Sequence, residues 1–279
     1  QGDFLKAEDF FLQAINCARE SGYRRMEAFS LTSLGDLYSD LGAFTVVKEK
    51  YSKAKKISQD INDQYLKNYL SITQASLARK LNKHVNAFHI LDDCENEIIN
   101  SESTYEKGLY ELERGKLLIS GGKSVEAQTY LESAIRKFEA GGQKVECASA
   151  HLYLANAYLV ESNHESAIHH VTKALDVTVT LENHIPLVHT GRDVKDVLRT
   201  AQQYPQVSEQ VTKLLNEIRN FEKELPSLQQ KIYDGEDEIE IFIPGISIQA
   251  FGRARVKRHG KPVTASEFTN QRAVRELFY

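Results

Sequence analysis

The stretch LTSLGDLYSDLGAFTVVKEKYSKA, residues 31–54, decides the fold. Leu34, Gly35 and Tyr38 lie three and four residues apart, the spacing of one helix face. Val47, Tyr51 and Ala54, spaced four and then three, mark a face on a second helix. Gly42 stands between them, and glycine tolerates the left-handed conformation that ends a helix and turns the chain. The segment reads as two helices joined by a tight turn, with small residues where the helices must approach closely.

Stepping outward by about forty residues finds the same pattern again. Ala7, Val47, Ala87, Ala127, Ala167 and Val207 form one series. Phe11, Tyr51, Leu91, Leu131, Val171 and Val211 form the next. Ala14, Ala54, Cys94, Ala134, Ala174 and Leu214 complete this face. On the preceding helix Gly35, Ala75, Gly115 and Ala155 are in phase, with Tyr38, Ala78, Leu118 and Tyr158 three later. Gly2, Gly42, Asn82, Gly122 and Ser162 mark the turns. The unit is a helical hairpin repeated about five and a half times.

Leu34-Gly35-x-x-Tyr38 with Gly42, Val47, Tyr51 and Ala54 resembles the tetratricopeptide repeat, as does Leu154-Ala155-x-x-Tyr158 with Ala167, Val171 and Ala174. The usual period is about 34, so each unit here carries roughly six extra residues. Longer repeats of this kind resemble the helical sensor regions of large bacterial transcriptional regulators. The resemblance covers residues 1–224 and implies a mostly α fold, a right-handed solenoid of stacked hairpins. Gly2 falls on the turn phase, so the chain is expected to open on the second helix of a repeat and to be a segment of a longer protein.

The texture changes after Leu225-Pro226, and residues 225–244 read as a linker and a first strand, Glu238 to Ile243. Ile246 to Phe251 and Ala254 to Arg258 read as further strands, with His259-Gly260 as a hairpin turn and a last helix from Glu267 to Tyr279. Ile248-Gln249-Ala250-Phe251-Gly252, Gly260-Lys261-Pro262-Val263, Ser266-Glu267-Phe268 and Arg275-Glu276-Leu277-Phe278 are similar to the opening of a response-regulator-type winged helix. More narrowly they resemble the winged helix of the SARP (bacterial transcriptional activator) family. The resemblance spans 245–279, ahead of the recognition helix and β-wing, so it implies an incomplete DNA-binding domain.

Composition narrows the function. The 279 residues carry 35 Lys+Arg against 39 Asp+Glu, a net charge of -4, with 41% hydrophobic residues and three cysteines. That apolar fraction excludes disorder as the dominant state, and three cysteines exclude a disulfide scaffold. No run approaches 18 apolar residues and no signal pattern opens the chain, so a cytoplasmic protein without membrane contact is expected. The balanced charge leaves nucleic-acid binding to a local patch. Arg253, Arg255, Lys257, Arg258 and Lys261 supply one, either as contacts to DNA phosphates in a complete domain or as a solvated strand face.

Other motifs read as structural. Ser120-Gly121-Gly122-Lys123-Ser124 is similar to the tail of a phosphate loop, but Leu117 stands where the motif needs glycine, and the segment sits on the turn phase. His164, His169, His170, His184 and His189 lack the spacing of a ligand set, so no metal and no cofactor are expected. Cys94 occupies a small-residue slot, and Cys17 and Cys147 have no nucleophile context. No nucleophile–base pair appears, which argues against an enzyme.

The tetratricopeptide resemblance implies that the first helix of each hairpin lines a concave groove. The candidates facing it are Thr32, Asp36, Tyr69, Arg79, Lys80, Leu112, Lys116, Asn156, Arg192 and Arg199. Cations mixed with aromatics suit a protein segment, a peptide or a small anionic effector. The function expected is a sensor that controls an adjoining winged helix, through curvature, freed packing or dimerisation. The alternative is a scaffold for a partner's peptide, without a role in transcription.

Overall fold

The computed structural model describes residues 4–181, 185–234, 247–249, 255–258 and 261–262. Among these residues nine helices come first: α1 (Phe4–Glu20), α2 (Arg24–Asp40), α3 (Phe44–Asp60), α4 (Gln64–Lys80), α5 (His84–Ile99), α6 (Thr104–Ser120), α7 (Ser124–Gly141), α8 (Lys144–Val160) and α9 (His164–Leu181). A short 3-10 turn, Ile185–Leu187, leads into α10 (Val188–Asp193), α11 (Lys195–Ala201) and α12 (Ser208–Asp234). The chain divides into two compact units, 1–232 and 233–279.

The forty-residue period has a simple origin. A 17-residue helix such as α2 or α3 plus a three-residue turn occupies twenty positions, and two of these make a hairpin. The residues beyond the usual repeat length therefore lengthen helices, each about 25 Å long, rather than loops. Gly42, Asn82, Gly122 and Ser162 all have positive φ, between 58° and 75°. At each, the next residue's N–H bonds back to the carbonyl five earlier: Ala43 to Tyr38 at 2.9 Å, Lys83 to Ala78 at 2.8 Å, Lys123 to Leu118 at 2.9 Å and Asn163 to Tyr158 at 2.9 Å. That geometry satisfies the orphan carbonyls of the helix end.

A second turn series, between hairpins, follows the same rule at Gly22, Asn62 and Gly142. The periodicity at 22, 62 and 142 was equally present in the sequence. Its fourth member, Glu102, has no positive φ, and α5 stops one residue early at Ile99. Asp63 and Ser103 cap the next helices through their side chains, accepting from the N–H of Leu66 and Glu106.

The core lies where the periodic positions meet. Val47, Ala87, Ala127, Ala167 and Val207 are at most 1% exposed. A Cβ on Gly35 would lie 2.4 Å from Tyr51 Cε1, and one on Gly115 would lie 2.6 Å from Leu131 Cγ. Both positions therefore admit only glycine while the partner stays in place. Cys94 fills its small-residue slot, and burial lifts its thiol to about 12.

The last repeat departs from the others. The backbone breaks at Val194 (φ -122°, ψ 34°), so α10 and α11 together stand where one helix is expected, and α12 follows as the second. Residues 225–234, read above as the start of a linker, are helical: α12 passes through Pro226 to Asp234. An internal proline forfeits one backbone bond. Leu214, Ile218, Phe221, Leu228 and Ile232 continue one buried stripe past it, and that burial holds the helix together.

Among its described residues the second unit has three short strands, β1 (Ser247–Gln249), β2 (Arg255–Arg258) and β3 (Lys261–Pro262), antiparallel in that order. Arg258 pairs with Lys261, and the expected turn at His259-Gly260 lies outside the described residues. The expected strand at Glu238–Ile243 and helix from Glu267 lie outside the described residues, as does Arg253.

Candidate functional site

A groove of about 800 Å³ runs along the first helices of successive hairpins. Its register is strict. Asp36, Ser76, Lys116 and Asn156, forty apart on α2, α4, α6 and α8, all line it. Ser39, Arg79 and Ile119 follow three residues on, and Asp40, Lys80 and Ser120 four on. Tyr153 and Thr73 stand three before. Offsets of three and four keep these side chains on one face of parallel helices.

Acids and bases in the groove neutralise one another. Arg79 donates to Glu113 at 2.7 Å and lies 3.9 Å from Asp193. Lys116 is 3.4 Å from Glu113 and sits 4.9 Å above the Tyr153 ring. Burial alone would raise the Glu113 carboxyl, but the Arg79 and Lys116 charges overcome it and hold it below the ordinary range. Burial lowers Lys116, with Glu113 opposing. Lys80 donates to Ser39 Oγ at 2.9 Å and lies 3.5 Å from Asp40. Asp36 accepts from the hydroxyls of Tyr51 and Tyr69 at 2.5 and 2.9 Å. Burial nevertheless pushes its carboxyl up to about 6.

The C-terminal helices return to the start of the stack. Arg192 on α10 donates to the Asp40 carbonyl at 3.2 Å, and Gln229 on α12 donates to the Leu41 carbonyl at 2.7 Å. Phe4 packs against Phe221 and His189, with ring centroids 5.2 and 5.8 Å apart. Arg192 lies 4.9 Å from the Phe221 ring and Lys195 bonds Glu222 at 2.5 Å. First and last helices thus meet in a seam that walls the groove with His189, Thr190, Arg192, Asp193 and Glu222.

Among the ten residues expected to face the groove, Asp36, Tyr69, Arg79, Lys80, Lys116, Asn156 and Arg192 line it. Thr32 and Leu112 do not. They share a phase with Ile72 and Leu152, and all four are at most 6% exposed against neighbouring helices. Thr32 returns its hydroxyl to the Ala28 carbonyl. Arg199 lies on α11, beyond the break at Val194, which turns it out to pair with Asp196 at 3.0 Å. Tyr153 and Asp193 were passed over although their phase, three before Lys116 and Asn156, was available. His189 and Glu222 join only through the seam, which has no periodic signal.

The remaining candidates separate. Ser120 ends α6 and Ser124 begins α7, and Gly121, Gly122 (φ 75°) and Lys123 make the turn between them. His170 meets His151, their Nδ1 atoms 3.0 Å apart, and Tyr158 stacks on it. His189 lines the groove, and His184 lies outside the described residues. Arg255, Lys257 and Arg258 fall on β2 and Lys261 on β3. Among the described residues no helix is long and apolar enough to cross a membrane.

Stacked hairpins with small residues at fixed phase define a tetratricopeptide-like helical repeat fold. Solved structures agree. A Rap protein complexed with competence and sporulation factor is similar at 17% identity and TM-score 0.64, over 81% of this chain and 72% of that one. BtubC (BKLC) from P. vanneervenii is similar at 14% identity and TM-score 0.52, over 87% and 97%. A signal transduction ATPase with a tetratricopeptide repeat sensor from Pyrococcus horikoshii is similar at 17% identity and TM-score 0.54, over 78% of this chain and 35% of that one. At such identities the likeness shows the fold. No family model and no curated protein matches the chain.

Proposed function

We propose that residues 1–232 are a sensing module whose groove takes an extended peptide. One observation carries this: the first helices of four consecutive hairpins present the same position, 36, 76, 116 and 156, to a single groove of about 800 Å³. Polar side chains repeated along one groove can each meet a polar group of an extended peptide, and the volume lies in the range of ligand sites. Charge favours the same class. Arg79, Lys80, Lys116 and Arg192 each have a carboxylate within 4 Å, so a simple anion must displace an internal partner. A peptide offers donors and acceptors to both signs. The repeats of the Pyrococcus protein are described as a sensor, and the Rap protein is complexed with a factor. We extend both roles to this chain.

Panning a random-peptide phage library on the full chain tests the groove. An enriched peptide is expected to bind one to one by calorimetry, and to lose affinity tenfold or more in N156A and in K116Q, with helix content unchanged. Equal binding by wild type and both variants would place the site elsewhere. Enrichment of nothing, beside binding of a small polar metabolite displaced by K116Q, would shift the ligand to the effector class.

The reading extends to transcription. Residues 245–279 resemble the front of a response-regulator or SARP winged helix in sequence, and we carry that resemblance forward as the basis of this reading. Peptide in the groove would alter the packing of α12, which precedes this region in the sequence, provided the two states bind peptide differently. In the full-length reading frame, a mobility shift on promoter DNA should weaken with salt and on neutralising Arg255 and Lys257. DNA binding absent at low salt would leave a peptide scaffold.

A further inference from the structure

We propose that Glu139, Cys147 and His151 form a zinc-class divalent metal site between α7 and α8, outside the groove. One carboxylate oxygen, the thiol sulfur and one ring nitrogen all lie within 4.8 Å of one another. The local sequence explains the convergence. Cys147 and His151 are four apart on α8 and so share a face. Glu139 is in the last turn of α7, and the left-handed turn at Gly142, closed by Gln143 N–H to the Phe138 carbonyl at 2.9 Å, folds it back against them.

The distances suit a small ion. Bonds of about 2.0–2.3 Å at tetrahedral angles set ligand atoms about 3.4–3.6 Å apart. The trio must therefore close by at most about 1.4 Å, and Glu139 is the exposed member of the three. Sulfur, nitrogen and oxygen together select a borderline-soft ion such as zinc over calcium or magnesium, whose shells are oxygen. Three protein ligands leave a fourth position for water or a partner's side chain.

His151 is also held as metal-binding imidazoles are held. Its Nδ1 meets His170 Nδ1 at 3.0 Å, which leaves Nε2 for a metal. His170 in turn is stacked on Tyr158, with ring planes 1° apart. Such an outer partner fixes tautomer and ring orientation. His170 is a positioning residue here, one step removed from the ion. Histidine spacing alone passes over the site because its nearest histidines in sequence, His164 and His169, are not in it.

Cobalt(II) titrated into the full chain in a C17S background, which removes the exposed thiol, tests this directly. The expected result is one equivalent bound with tetrahedral visible bands and a near-ultraviolet thiolate-to-cobalt band. C147S should abolish that band, H151Q and E139Q should weaken binding tenfold or more, and H170F should weaken it about tenfold while keeping the band. Should C147S misfold, zinc added to the unsubstituted Cys147 must slow its alkylation, and chelator must restore the rate. A missing thiolate band, one that persists in C147S, or alkylation of Cys147 indifferent to zinc would each overturn the assignment.

Discussion

The stack from α2 to α9 and the seam joining α1 and α2 to α10 and α12 are held together by different chemistry. In the stack, Gly35, Gly115 and a column of alanines let helices approach until a single added carbon collides. In the seam, aromatic rings and long polar side chains reach backbone carbonyls at Asp40 and Leu41. The first chemistry is non-directional and repeats with the sequence. The second is directional, occurs once, and depends on the stack having brought its two ends together. The stack therefore sets register, and the seam sets how closed the groove is.

The strongest way to break that contrast is G35L. Its first carbon would already meet Tyr51 at 2.4 Å, so overpacking should cost about 3 kcal/mol or more and lower the melting temperature of the whole repeat unit. A small, local effect would mean the register is wrong. In F221A the seam loses a buried ring and the platform under Arg192, a cost of about 2 kcal/mol. Hydrogen exchange should rise in α1, α10 and α12 while α4 to α7 stay protected. Uniform acceleration would deny the seam its separate character.

Asp36 sharpens the contrast through pH. Its carboxyl is raised from 3.8 to about 6, so the folded state holds the proton more tightly than the unfolded chain. That contribution is full below about pH 4 and is lost as pH rises through 6, roughly 1 kcal/mol between pH 5 and pH 7. Wild type should lose about that amount of stability relative to the non-titrating D36N over this window in urea titrations. The smallest effect is expected for Q229A, about 0.5 kcal/mol for one hydrogen bond, seen mainly as faster exchange at the end of α12.

The two regions also differ in how far they could be read from residues alone. The stack was legible because close packing imposes small residues at a fixed phase, and the groove followed, since Asp36, Lys116 and Asn156 share that phase. Thr32 and Leu112 went astray because one position, about 100° round the helix, separates groove from neighbour. Arg199 went astray because the break at Val194 obeys no period. Pro226 looked like a stop, and only the burial of Leu228 and Ile232 explains why α12 continues. Phe4 meeting Phe221 is a long-range contact that no local pattern announces.

Closure of the groove by α12 is the point on which the account turns, and a spin–spin distance reads it. Nitroxide labels at K48C and Q230C, exposed positions on α3 and α12, can be introduced in a C17S background. Pulsed electron resonance should return one narrow, short distance, broadened and lengthened by F221A. A broad, long distribution in the otherwise unaltered chain would contradict the seam, and with it the closed groove.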